Sequence, residues 1–271
     1  MKLNTIKQLG RSDLVNMGTI RLRQPIPTQT IENIDPFDLG PHPHRGFEPI
    51  TFLIQGEQLH RDSLGNESIV KAGGVQWTTS GRGIIHAEGP TKDFIEKGGT
   101  LEGIQLWLNL PAEKKMMQPK YQHVAFENFN VTKSEDGKVF VQVIAGNFNA
   151  VEGKITTQTP VNTYMIDMEV GGTIHVPMDN LHQSMLYLLS GDVLVNKEVQ
   201  LMKGENRLIE FNSDGNEIVI TSNTKSKLLF LSGTPLKEKI ANYGPYVMNT
   251  ETELLEAMRD YQQGKMGFLP A

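Results

Sequence analysis

Two short segments of this 271-residue chain carry side chains of metal-binding type in pairs: Pro41-His42-Pro43-His44-Arg45-Gly46-Phe47-Glu48, and Gly83-Ile84-Ile85-His86-Ala87-Glu88. Residues two apart on a β-strand project to the same face. His42 with His44, and His86 with Glu88, can therefore converge from neighbouring strands onto one ion. Three neutral imidazoles and a carboxylate make a nitrogen-oxygen donor set suited to a divalent first-row metal, with room for solvent or substrate if the geometry is octahedral. Either motif alone is as consistent with solvated histidine. Together, separated by a strand-rich stretch, they point to a bound metal.

The elements that would position these residues are β-strands. Between the motifs, Ile50 to Thr79 is rich in strand formers and punctuated by Gly56, Gly65, Gly73 and Gly74, as an antiparallel barrel requires. Further on, Val139 to Ile144, Thr163 to Met168, Leu186 to Leu189 and Lys227 to Leu231 alternate with Gly, Asn, Asp and Pro turns, which reads as sandwich or barrel. The one clear helical pattern is Thr250 to Gln263, with Leu254, Leu255, Met258 and Tyr261 as its apolar face. Thr250 and Glu253 form a capping box, and Gly264 ends the helix.

The run from Pro49 to Glu57 resembles Ser184 to Asp192, each an apolar strand ending in Gly-acid, with Gly56 and Gly191 135 residues apart. Two similar barrels are expected. The same offset carries His42 and His44 onto Pro177 and Asp179, so only the first barrel is expected to hold metal. His175 and His182 have no later His-x-Glu to join them and are assigned turn or core roles. The polar stretch Val131 to Lys138 is the natural break. The expected domains are 1–132, 133–235, and a tail over 236–271 packing on the barrels.

Composition excludes other classes. A net charge of -5 and a pI near 5.8, with no basic cluster, argue against direct nucleic-acid binding. The absence of cysteine removes disulfide, thiolate-zinc and iron-sulfur sites and leaves His and carboxylate as the available ligands. Met1 to Asp13 shows no apolar leader, and no stretch approaches the roughly 18 apolar residues of a membrane span. A cytoplasmic protein without membrane contact is expected.

Taken together, His42-Pro43-His44-Arg45-Gly46-Phe47-Glu48, Gly56-Glu57, His60-Arg61-Asp62-Ser63-Leu64-Gly65-Asn66 and Gln76 to Glu88 closely resemble the signature of pirins, a branch of the cupin superfamily. Tyr243 to Thr250 and Gly264-Lys265-Met266-Gly267 resemble the pirin C-terminus, so the likeness runs from about residue 18 to the end. The resemblance implies an all-β bicupin, two tandem jelly-roll-like barrels with a C-terminal helix, in which the first barrel binds metal.

The resemblance also implies the ligand set His42, His44, His86 and Glu88, in agreement with the spacing. The wider cupin pattern would nominate Glu48 instead; the pirin likeness is the closer one and favours Glu88. Glu48 is then expected to hold Arg45 or a histidine. His60 is expected to bond to Asp62 or solvent rather than to metal, and Phe47, Phe52 and Trp77 are candidates for an aromatic pocket or for core. Ala72-Gly73-Gly74 replaces the Pro-Gly-Asp turn usual in the family and suggests a looser strand around Trp77.

The activity implied is oxygen-dependent cleavage of quercetin-type flavonols at the 2,3 bond by iron(II), with release of carbon monoxide and with Glu88 as the base. Nickel, zinc, copper, manganese or cobalt are alternative ions as isolated, because affinity order does not favour iron. The competing implication is a non-enzymatic, redox-responsive protein that binds transcription regulators or metabolic enzymes.

Overall fold

The computed structural model describes residues 2–10, 15–17, 20–22, 26–31 and 39–270, with side chains at 2–6 and 40–270. The stretch near residue 18, where the family likeness was expected to begin, lies outside them. The chain divides into two compact units: Asp13–Asn128 with Leu236–Ala271, and Met1–Ser12 with Phe129–Pro235. Each is two antiparallel sheets, a jelly-roll-like barrel, as alternating apolar runs broken by Gly turns require.

In the first unit, a four-stranded sheet runs in the order Leu39–His44, Ile84–Pro90, Glu57–Asp62, Glu67–Lys71. It faces a larger sheet in which Lys120–Val124, Val75–Thr79, Phe47–Gln55 and Gly99–Asn109 are successive neighbours. The strand around Trp77 is paired along both edges and Trp77 is fully buried, which corrects the expectation of a loose strand. The Gly turn before it is pinned instead by backbone bonds, Gly73 N to Leu53 O at 2.7 Å and Gly74 N to Lys71 O at 2.8 Å. Gly73 sits at φ 81°, which glycine adopts without strain.

The tail belongs to this first unit. Thr250 and Glu253 make the capping box at the start of helix Glu251–Gln262. Leu254 and Ala257 are its buried residues, and they pack with Ile85, Tyr246, Met248 and Met266. Leu255 and Tyr261, expected on the apolar face, are exposed; Ala257 occupies the face instead. No helix among the described residues is long and apolar enough to cross a membrane.

The second unit repeats the plan. Its four-stranded sheet runs Thr173–Pro177, Glu217–Ser222, Asp192–Val195, Val199–Met202, against a seven-stranded sheet that includes Gln183–Ser190, Ser226–Gly233 and Val161–Met168. Two boundaries differ from the sequence reading. Ile6–Gly10 pairs with Leu208–Phe211, which gives the first residues to the second unit. The polar stretch Val131 to Lys138 is a hairpin turn between Asn130–Lys133 and Val139–Ala145 rather than a break. Asp136 accepts from Ser134 Oγ and Lys138 N there, the bonding that polar turn residues supply within a sheet.

Candidate metal centre

Strand register builds the site. Ile84–Pro90 is flanked on one side by Leu39–His44, with His86 opposite His42 and Ile84 opposite His44. On the other side lies Glu57–Asp62, with His60 opposite Glu88 and Asp62 opposite His86. Period-two alternation then sends His42, His44, His60, His86 and Glu88 to one face. The imidazole centroids of His42, His44 and His86 lie 4.4–4.8 Å apart. Potential ligand atoms fall into two groups, His42-His44-His86 and His60-His86-Glu88, each with its atoms within 4.8 Å of one another. His86 belongs to both.

The protonation states suit a cation. Nδ1 of His42 donates to Gly40 O at 2.9 Å, since a carbonyl can only accept, so Nε2 is the nitrogen that the neutral ring offers to an ion. Both nitrogens of His86 are buried without a hydrogen-bond partner; the nearest carboxylate oxygen, on Glu88, is 3.7 Å from Nδ1. Burial, reinforced by the neighbouring His44, His42 and His60, holds this imidazole well below its usual pKa and so neutral. A buried, unbonded polar nitrogen costs about 1–3 kcal/mol, a penalty that coordination to an ion removes. The residues present fit a divalent first-row metal.

Glu88 is held from the facing sheet. Gln76 Nε2 donates to its Oε1, and Gln105 Nε2 to its Oε2 at 3.1 Å. Trp107 Nε1 donates to Gln105 Oε1 at 3.2 Å and so fixes which end of that amide meets the carboxylate. Burial pushes the Glu88 carboxyl up, against the pull of His60, His42 and the two amides. Gln105 and Trp107 were not named from the sequence, and Gln76 stood there only within the family signature, not as a site residue. For Gln105 the available signal was a polar side chain between Ile104 and Leu106, which in a barrel wall has to face a polar partner.

The other sequence candidates separate by face. Thr51, paired with Gln105 and Gln76, points toward Glu88 and accepts from Gln76 Nε2 at 3.2 Å. Phe47, in phase with Thr51, lies 5.1 Å from His44, ring to ring, with Trp107 5.6 Å from the same imidazole. Glu48, Phe52 and Trp77 are in the opposite phase and point to the other face of that sheet, where all three are buried. Phe52 and Trp77 are therefore core and not pocket wall. Glu48 does not hold Arg45 or a histidine: its Oε1 accepts from Thr79 Oγ1 at 2.6 Å, and burial pushes its carboxyl up to about 7. Arg45 turns instead to the tail, donating through both terminal nitrogens to Asp260 Oδ2 at 3.1 Å and through Nε to Arg82 O at 2.6 Å.

The tail closes on the histidine strand at further points. Val247 N donates to Arg45 O, and buried Lys115 ties Gly46 O to Val247 O at 2.8 and 2.9 Å. A Cβ on Gly46, at φ 85°, would lie 2.1 Å from Val247 O, so only glycine permits this approach. In the second unit His175 is bonded to Glu217 at 3.0 Å, and His182 to Ser232 at 3.1 Å.

The pirin family profile matches residues 13–108, and that of the pirin C-terminal cupin domain matches residues 163–267. A Pseudomonas aeruginosa protein named "Putative quercetin 2,3-dioxygenase" is 38% identical over 231 residues, covering 82% of this chain and 78% of that protein. Human pirin is 32% identical over 279 residues, covering 97% and 93%. The crystal structure of a quercetin 2,3-dioxygenase from Acinetobacter baumannii superposes with a TM-score of 0.86 at 30% identity, covering 98% of this chain and 99% of that one. With two cupin barrels, a C-terminal helix and matches of this extent, the chain belongs to the pirin family.

Proposed function

We propose that this chain holds one divalent metal ion on His42, His44, His86 and Glu88, iron(II) being the working ion, and uses O2 to cleave quercetin-type flavonols at the 2,3 bond with release of carbon monoxide. The observation that carries the reading is the convergence of the His42 and His44 imidazoles on His86, whose two nitrogens are buried and unbonded beside a buried carboxylate. The likeness to a quercetin 2,3-dioxygenase supports the choice of substrate. When bound, a divalent ion supplies Lewis acidity and a template for adjacent hydroxyl and carbonyl oxygens.

The chain's own residues do the rest. Glu88 receives the proton of the flavonol 3-hydroxyl, and the burial that pushes its carboxyl up makes it a stronger base than an exposed carboxylate. Gln76 and Gln105 hold both of its oxygens in place, which keeps that base oriented. Phe47 and Trp107 present flat apolar surface beside His44 for an aromatic ring system. The test is carbon monoxide release from quercetin in air by protein loaded anaerobically with iron(II). Fully loaded protein that gives no more carbon monoxide than a metal-free control overturns the enzymatic reading and leaves that of a metal-dependent binding protein.

A further inference from the structure

His60 has a bonding pattern that the ligand set above does not use. Its Nε2 lies 3.2 Å from Asp62 Oδ2. Asp62 also accepts from Leu64 N, Asn66 N and Asn66 Nδ2; against the upward push of partial burial, His60 and the Asn66 bonds hold its carboxyl below the usual range. It is an ionised acceptor, so the proton shared with His60 sits on Nε2. In the neutral ring Nδ1 then carries the lone pair. It is fully buried and without a hydrogen-bond partner. The Tyr121 ring stacks on the imidazole at 4.0 Å between centroids and 6° between planes, which fixes the direction of that lone pair.

A histidine that gives one ring N–H to a carboxylate and keeps the other nitrogen bare and buried has the arrangement found behind metal ligands. The bond to Asp62 is thus no alternative to ligation but a preparation for it. His60 belongs to a group whose other members are His86 and Glu88, with one potential ligand atom from each within 4.8 Å of the others. This second group shares His86 and Glu88 with the ligand set proposed above and has His60 in place of His42 and His44.

We propose that the bound ion has a second position, His60-His86-Glu88, adjoining the first and sharing His86 and Glu88 with it, so that a chain holds one ion at a time in either place. The proposal rests on the metal-holding reading above and adds His60 as a ligand, with Asp62 and Tyr121 as its positioning residues.

The test is Co(II) titration of metal-free protein, read by binding isotherm and by the visible absorption that reports coordination. His42→Ala breaks only the first position and is expected to lower Co(II) affinity by roughly 10- to 100-fold without abolishing it. Adding His60→Phe, which keeps the aromatic stack on Tyr121, is expected to lower it by at least about another tenfold and to erase the residual spectrum. His60→Phe alone leaves the first position intact and costs less than about threefold. Near-ultraviolet circular dichroism of each metal-free variant checks that the barrel is folded. If His42→Ala and His42→Ala/His60→Phe bind Co(II) equally, or if folded His42→Ala binds none, the second position does not exist. Wild-type protein that takes up no Co(II) overturns the metal-holding reading itself, and this inference with it.

Discussion

The two barrels share one strand plan and fill it with opposite chemistry. In each, a four-stranded sheet lies across from a larger one, and the strand Ile84–Pro90 occupies the place that Glu217–Ser222 takes in the second unit. In the second unit the inner positions are Ile174, Val176, Val193, Val195, Ile218 and Ile220, packed with Leu186, Leu188, Leu228 and Phe230 into one apolar cluster. In the first unit the corresponding sheet points His42, His44, His60, His86 and Glu88 inward, while Ile50, Phe52, Trp77 and Leu106 lie buried in the opposite phase of the larger sheet. The difference teaches what a polar barrel interior needs. Each inward polar group must have a partner from the facing sheet or an ion, because buried polar groups without partners are costly. Gln76 and Gln105 are that facing partner for Glu88, and the unbonded His86 nitrogens are the part left for an ion.

The comparison breaks most decisively at His86. His86→Ala is expected to take the metal-to-chain ratio from about one to near zero, measured by elemental analysis after anaerobic loading, because both candidate groups contain this residue. A ratio near two in the wild type that falls only to one in His86→Ala would mean that the second barrel also binds metal and would end the contrast. Next in size is Glu88→Gln, which keeps an oxygen able to coordinate but loses charge and basicity. Part of the metal should stay, while flavonol turnover falls by roughly 100- to 10,000-fold, the range for loss of a general base. The reverse pattern, with Glu48→Gln losing metal and Glu88→Gln fully active, would transfer the role to the carboxylate on the other face of the sheet.

In the apolar barrel the expected effect is on stability alone. Leu228→Ala removes a fully buried side chain from the second cluster and should cost about 2–5 kcal/mol in denaturant unfolding. The metal ratio should stay at that of the wild type. Loss of metal in a folded Leu228→Ala protein would show that the second barrel does more than supply a packed unit.

How much of this was legible in the sequence follows from how local each feature is. The ligand candidates were legible because a period of two is a local rule, and His42, His44, His86 and Glu88 obey it within two short segments. The capping box of Thr250 and Glu253 was legible for the same reason. Gln76 and Gln105 were not: a carboxamide has no motif, and their role appears only when strand register sets them across from Glu88. Nor was the pairing of Arg45 with Asp260, 215 residues away, so that Glu48 was given Arg45 as a sequence neighbour. His60 was read correctly as bonded to Asp62, yet the free nitrogen on the far side of its ring is a matter of orientation, which spacing does not encode.

The smallest effect sharpens the contrast between the two carboxylates of the first barrel. Glu48 is buried, with Thr79 as its hydrogen-bond donor, and its carboxyl is pushed up to about 7 from an ordinary 4.5. The folded protein thus binds this proton more tightly than the unfolded chain does. Its contribution to stability is complete below about pH 4.5, where both forms are protonated, and is lost as pH rises through 7, where the buried group must ionise. The loss amounts to about 3 kcal/mol across that interval. Glu48→Gln has nothing to titrate, and any constant effect of its amide shifts the whole curve without changing its slope. The difference in unfolding free energy between wild type and Glu48→Gln, followed in metal-free protein from pH 4.5 to 8, should therefore move by about 3 kcal/mol in favour of the variant. Parallel curves would mean that Glu48 is charged and compensated in the folded state, and that the polar character of this barrel extends through its wall to the face that carries Phe52 and Trp77.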